Sequence, residues 1–252
     1  MAETFARYPS LDGRPVVVTG GASGIGAEIV RGFAAQGAKV GFIDRDAAAA
    51  EALVDELGGA ARFAASDLRD IPALQGAVAA LAAANGPAEV LVNNAARDDR
   101  HDWREVTEAY WDERMQTNLR HMFFAIQAVA PGMIASGGGS IVNLGSNSWH
   151  ERVGNFPAYA TAKAGVEGLT RTMARDLGPH RIRVNTVIPG WAMTQRQLEL
   201  WMTPEAEVRQ KAAQCIPELL DPVYVARMVL FLASDDAAMC TAALFPVTGG
   251  SM

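Results

Sequence analysis

The chain has 252 residues, half of them apolar, and a net charge of −6. That length and apolar share suit one α/β domain with an extensive core, and an acidic balance without a basic stripe argues against a nucleic-acid partner. No apolar run approaches the ~18 residues of a membrane span, residues 1–11 carry no signal-peptide apolar core, and Cys215 and Cys240 lie outside any Cys/His ligand spacing, so residues 1–252 are expected to form a single cytoplasmic domain with no metal and no membrane contact.

Residues 15–19, Pro-Val-Val-Val-Thr, read as a short buried strand, and Gly20-Gly21-Ala22-Ser23-Gly24-Ile25-Gly26 carries it into an amphipathic helix over 27–36. Glycines permit a tight turn and close backbone approach, and the free N–H groups of a helix start favour negative charge, so this connection reads as a pyrophosphate site. The spacing is G-x-x-x-G-x-G rather than G-x-G-x-x-G. The next strand, 40–43, ends on Asp44, where a ribose-binding acid is expected. A carboxylate there accepts from ribose hydroxyls and repels a 2′-phosphate, which favours NAD over NADP, although the adjacent Arg45 softens that preference.

Further strand-like runs at 62–65, 90–93, 140–144, 183–188 and 243–247 alternate with helical stretches. This is the pattern of a doubly wound Rossmann fold, one domain around a central parallel seven-stranded sheet, with its ligand crevice at the C-terminal strand ends. Two long helices are expected over 110–135 and 158–177. Residues 190–214 form the longest segment between strands, carry Trp191 and Trp201, and are the candidate substrate lid.

The chemistry concentrates after the fifth strand. Tyr159 and Lys163 stand four residues apart, which stacks a phenol and an ammonium on one helix face. A neighbouring cation favours the phenolate, so the phenol's pKa is expected to fall from about 10 toward working pH, making Tyr159 a candidate general base. Ser146 ends the apolar run upstream. A lone Tyr-x-x-x-Lys also arises on solvated helices; the glycine turn at the other end of the chain gives this one its weight.

Taken together, Thr19-Gly20-x-x-x-Gly24-x-Gly26, Asp67-Leu68, Asn93-Asn94-Ala95, Asn118, Ser146, Tyr159-x-x-x-Lys163 and Pro189-Gly190-x-x-x-Thr194 resemble the short-chain dehydrogenase/reductase family along essentially the whole chain. The resemblance implies a catalytic tetrad of Asn118, Ser146, Tyr159 and Lys163. It also implies that Gly20, Ser23, Gly24, Ile25, Gly26 and Asp44 hold the cofactor, that Asp67 and Leu68 flank its adenine, that Asn94 and Ala95 back it, and that Pro189, Trp191 and Thr194 line its nicotinamide with Tyr159 and Lys163. Asn118 would anchor a water chain to solvent. Departures are Ala96 and Gly145, where glycine and serine are frequent, and Thr248 before Gly249-Gly250.

A narrower resemblance, in runs such as Asp98-Asp99-Arg100-His101, Asn118-Leu119-Arg120-His121 and Ser146-Asn147-Ser148-Trp149, points to bacterial sugar 1-dehydrogenases that turn aldoses such as D-galactose, D-xylose or L-arabinose into lactones. Ser146, Ser148, Asn155, Gln195 and Arg97 are expected to bond the hydroxyls of a sugar and Trp149 or Trp191 to face its C–H side, while Arg100, His101, Arg120 and His121 have a loop-bracing alternative. A homo-oligomer, tetramer favoured, is implied by the same family. Competing readings are a ketoreductase or polyol dehydrogenase with the same tetrad, and an NAD-sensing protein without turnover.

Overall fold

In the computed structural model, which describes residues 5–252, β1 (Pro15–Thr19), β2 (Lys39–Asp44), β3 (Ala61–Ala65), β4 (Val90–Asn93), β5 (Gly139–Leu144), β6 (Ile182–Pro189) and β7 (Leu244–Val247) run parallel in one sheet. Their order is β3-β2-β1-β4-β5-β6-β7, so the winding reverses between β1 and β4 and opens a crevice at that switch point. Each expected strand is found within one residue at either end. The helices are α1 (Gly24–Ala35), α2 (Ala47–Glu56), α3 (Ile71–Asn85), α4 (Glu108–Met115), α5 (His121–Ala135), α6 (Pro157–Leu177), α7 (Gln195–Leu200), α8 (Pro204–Ala213) and α9 (Pro222–Ala233).

Both faces of the sheet are covered, which is why its strands are apolar runs rather than alternating ones. The side-chain period of two divides β1: Val16 and Val18 pack with Ile29, Val30 and Phe33 of α1 and Val229 of α9, whereas Val17 packs with Leu74 and Leu81 of α3 and Ile126 of α5. Burying each such side chain contributes about 1.5–3 kcal/mol.

Two helix expectations are corrected. The first helix starts at Gly24 rather than 27, because the glycine turn itself supplies its first turn and Ser23, in extended conformation, occupies the N-cap without a side-chain cap bond. The stretch 110–135 is α4 and α5 joined by a π-helical turn at Gln116–Arg120. Its cause is local. Asn118 Nδ2 donates to the Arg114 carbonyl at 3.0 Å, competing for an acceptor of the helix ladder, while its Oδ1 accepts from Arg97 N at 2.7 Å.

Close backbone approach fixes the β1–α1 turn. A Cβ on Gly26 would lie 1.9 Å from the Gly20 carbonyl oxygen, and one on Gly20 would lie 2.7 Å from Ala95 Cα. Gly26→Ala is therefore expected to destabilise the protein by about 1–3 kcal/mol through overpacking, read as a lower midpoint in denaturant unfolding; wild-type stability would contradict this close approach.

Candidate active site

Lys163 and Tyr159 project from α6 toward the end of β5. Lys163 is fully buried, and its Nζ donates to the Leu144 carbonyl at 2.7 Å, just where β5 ends. The rotation of α6 about its axis is set about two turns further on, at Thr170. Asn93 Nδ2 donates to Asn143 Oδ1 at 2.9 Å, Asn143 Nδ2 donates to Thr170 Oγ1 at 2.9 Å, and Thr170 Oγ1 lies 2.7 Å from Thr186 Oγ1. This buried chain ties β4, β5 and β6 to α6, and Thr170 shares a helix face with Lys163. The start of α6 is held as well, for Ala158 N donates to His101 Nε2 at 3.4 Å and His101 N donates to the Asn155 carbonyl at 2.7 Å. His101 thus braces a loop.

Ser146 follows β5 and is buried; its Oγ bonds Ser148 Oγ at 3.0 Å and accepts from Ser148 N at 3.2 Å. Gly145 before it has no room for a larger residue, since a Cβ there would meet Thr186 Cγ2 at 2.8 Å.

The electrostatics differ from the expectation that Lys163 draws the phenol's pKa down. Burial pushes the Tyr159 phenol up to about 12, a side-chain hydrogen bond with Ser146 and the charge of Arg100 oppose that, and Asp98 adds to it. Burial likewise pushes the Lys163 ammonium down to about 7, with Asp98 resisting. The physical reason is desolvation: each group is driven toward its neutral form, so in the protein alone Lys163 is a weak source of positive charge near neutral pH.

Tyr159, Lys163, Ser146, Ser148, Pro189, Trp191 and Thr194 line one cavity of about 350 Å³. A second, of about 480 Å³, is lined by Gly20, Ser23, Gly26, Asp44, Asp67, Leu68 and Ala95, and Ile25, Asn94, Ala96 and Thr194 belong to both. The two form one cleft across the switch point, with the glycine turn at its middle. Gly24 lies behind it, its missing Cβ facing Thr194 Cγ2 at 3.1 Å. Asn94 Nδ2 donates to the Thr19 and Gly20 carbonyls at 3.2 and 2.8 Å, fastening β4 to the turn.

At the far end, Asp44 Oδ2 accepts from Ala22 N at 3.0 Å and its Oδ1 from Arg45 N and Asp46 N at 2.8 and 3.1 Å. Asp44 therefore shapes the glycine turn as well as lining the cleft, and its Oδ2, with one donor, keeps spare acceptor capacity. Asp67 is gripped by the Arg69 guanidinium at 2.5–3.0 Å, which holds its pKa below the usual carboxylate range.

Over the first cavity, residues 190–214 fold into α7 and α8. Arg196 of α7 bonds Asp98 at 2.5 Å and Asp99 at 2.6 Å, while Gln197 donates to Asp98 at 2.9 Å and accepts from Trp191 Nε1 at 2.8 Å. These bonds close the segment onto the loop after β4.

Not every expected site residue reaches the cleft. Asn118 is fully buried, both ends of its amide are engaged as described, and its side chain does not line either cavity. Trp149 stacks on the His150 ring at 3.7 Å between centroids, and Asn155 sits exposed on a turn at φ 68; neither is on the cavity wall. Gln195 is engaged with Glu199 at 2.6 Å on the outer side of α7. The wall instead includes Asp98, Arg100, Asn147, Glu151, Phe156 and Gln197, with the Arg100 guanidinium 4.1 Å from the centre of the Phe156 ring.

A family model described as enoyl-(acyl carrier protein) reductase, adh_short_C2, matches residues 20–252. D-xylose 1-dehydrogenase of Caulobacter vibrioides is 52% identical over 239 residues, 94% of each chain. The chain belongs to the short-chain dehydrogenase/reductase family. A Rhizobium meliloti protein named probable galactose dehydrogenase is 46% identical over 249 residues, 97% of each chain. The solved structure of a short-chain type dehydrogenase/reductase from Mycobacterium ulcerans superposes with a TM-score of 0.91 at 28% identity, covering 96% of this chain and 90% of that one.

Dehydrogenases of the short-chain family use nicotinamide cofactors, and the cleft of this member fits one. Its glycine turn is packed too closely against Ala95 and its own backbone to carry a Cβ at Gly20 or Gly26, it opens onto the cleft at a helix start that would take a pyrophosphate, and its Ser23 N-cap hydroxyl makes no cap bond.

Lys163 also leaves a mark on stability. Its folded-state pKa of about 7 lies below the 10.5 of an exposed lysine, so between those values the unfolded chain binds more protons and stability rises with pH. In thermal melts of the cofactor-free protein, the wild type is expected to gain on Lys163→Met as pH is raised from about 7 to about 10. A difference independent of pH would contradict the buried, depressed ammonium.

Proposed function

We propose that the protein oxidises the C1 hydroxyl of an aldose to the lactone with NAD as acceptor, Tyr159 serving as general base. The observation that carries this reading is the single cleft that joins Ser146, Tyr159 and Lys163 to a glycine turn closed by Asp44. Its sugar class is supported by relatives named D-xylose 1-dehydrogenase and probable galactose dehydrogenase, and by the polar cavity wall of Ser148, Asn147, Glu151 and Gln197 beside Phe156 and Trp191.

The bound dinucleotide supplies the hydride acceptor and a cationic ring. Ser146 would donate to the substrate oxygen and fix its distance from Tyr159, whose deprotonated oxygen would take the proton of the substrate O–H as the C1–H bond gives up its hydride to the dinucleotide. Burial holds the phenol near 12 and the ammonium near 7, which favours the neutral pair in the free protein; the Lys163 ammonium, 5.8 Å from the centre of the Tyr159 ring, together with the cationic ring of a bound dinucleotide, would supply the positive field that lowers the phenol. Lys163 thereby helps to make Tyr159 basic, in the loaded site rather than in the free protein. Asn118 holds the π turn and the loop after β4, and an ordered water carrying the proton onward would rest on that turn. Asp44 receives the adenosine ribose hydroxyls. Trp111 and Phe123, exposed on α4 and α5, support the accompanying proposal of a homo-oligomer, tetramer favoured, working in the cytoplasm.

The test is formation of reduced dinucleotide with NAD or NADP across aldoses, polyols and simple secondary alcohols. Aldoses with NAD are expected to lead; turnover confined to non-sugar alcohols would discard the sugar reading. Tyr159→Phe is expected to cost at least ~10²-fold in kcat with dinucleotide affinity nearly unchanged, and near-normal turnover would remove Tyr159 from the mechanism. Asp44→Ala is expected to weaken NAD binding and relax discrimination against NADP, measured as the ratio of the two Kd values; an unchanged ratio would place the selectivity elsewhere.

A further inference from the structure

Glu151 stands on the turn that follows Ser146, a stretch in which no motif marks it. Glu151 N donates to the Asn147 carbonyl and Val153 N to the Ser148 carbonyl, both at 2.9 Å, so residues 147–153 close on themselves and present Ser148, Glu151 and Val153 to the cavity. One carboxylate oxygen is clamped from two directions. Glu151 Oε1 accepts from Asn147 Nδ2 at 2.7 Å and from Ser251 Oγ at 2.5 Å. Ser251 arrives there because Gly249 and Gly250, at φ 64 and 83, turn the C-terminal segment back toward the cleft.

The other oxygen, Oε2, has no donor among the described residues, and no cation there pairs with this carboxylate. Asp98, the other acid on the wall, differs: both its oxygens are taken by Arg196 and Gln197. A half-buried carboxylate, rigidly clamped on one side and open to a cavity on the other, is an acceptor awaiting donors. Hydroxyl groups of a sugar are such donors, and their bonds to a charged acceptor are the strong kind.

Resting on the sugar reading above, we propose that Glu151 is the specificity-determining residue that accepts hydrogen bonds from the hydroxyls of the sugar remote from the carbon being oxidised, and that the C-terminal segment, through Ser251, holds it in place. The site then selects polyhydroxylated substrates by leaving an unmet acceptor wherever a hydroxyl is missing.

Steady-state kinetics of the wild type and the isosteric Glu151→Gln, with NAD and D-xylose, its monodeoxy analogues and cyclohexanol, test this. Glu151→Gln is expected to raise KM for D-xylose about tenfold with kcat within about threefold. For the one deoxy analogue that lacks the bonded hydroxyl, the wild type is expected to show that loss already and the substitution to add little, and cyclohexanol turnover is expected to be unaffected. Equal loss on every substrate, cyclohexanol included, would reveal a merely structural support for the Ser146 loop and overturn the assignment. An active wild type with a Glu151→Gln variant indistinguishable from it on D-xylose would overturn this assignment alone, whereas a wild type silent on D-xylose and every other aldose would overturn the sugar reading and this assignment with it.

Discussion

Lys163 keeps its ammonium wholly inside the protein on one carbonyl oxygen, that of Leu144. Burying an uncompensated charge costs several kcal/mol, and the molecule meets that cost by letting the ammonium's pKa fall toward neutrality. The surrounding architecture follows from holding this one group still. β5 must end at Leu144 to offer its carbonyl, and α6 must be rotated so that Lys163 and Tyr159 face that end. The Asn93–Asn143–Thr170–Thr186 chain prevents α6 from turning, since each of its members is buried and any slip would strand polar groups without partners. Tyr159 is pushed the other way by the same dry surroundings. Two neighbours that each resist ionisation are thus both held toward their neutral forms in the free protein.

Around this pair the cleft is assembled from distant parts of the chain. The glycine turn, the end of β2 and the loop after β4 form one half; the end of β5, the start of α6 and the segment over 190–214 form the other. Arg196 and Gln197 draw α7 onto Asp98 and Asp99, so the cover of the cavity is fixed by charge-assisted bonds to the same loop that touches the cleft floor. Asp98 is thus shared between the segment over the cavity and the electrostatics of Tyr159 and Lys163.

Much of this was readable from sequence because it depends on local periodicity or on backbone conformation. Strands emerged from apolar runs, and the β1–α1 turn from glycines whose missing side chains are required by contacts as close as 1.9 Å. Tyr159 and Lys163 were readable from their spacing on one helix face. What escaped depends on which way loop side chains point. Residues Arg152 and Asn155 adopt φ 56 and 68, which turns Asn155 outward and brings Glu151 and Phe156 to the wall, and neither residue type announces a left-handed conformation as glycine does. The clamp from Ser251 to Glu151 spans 100 residues and the contact from Arg196 to Asp98 spans 98, distances at which no spacing rule operates. The π turn at Gln116–Arg120 was hidden for another reason: helical periodicity reads through one widened turn without a visible break. The direction of the Tyr159 shift was missed because proximity of a lysine is visible in sequence and the desolvation of both groups is not.

Under the proposed function this cleft removes a hydride from C1 of an aldose. The most direct measurement is to supply D-xylose or D-galactose deuterated at C1, together with NAD, and to locate the label. Deuterium on C4 of the reduced nicotinamide with a lactone as the sugar product is the predicted result; label retained in the sugar, or a product oxidised at another carbon, would contradict it.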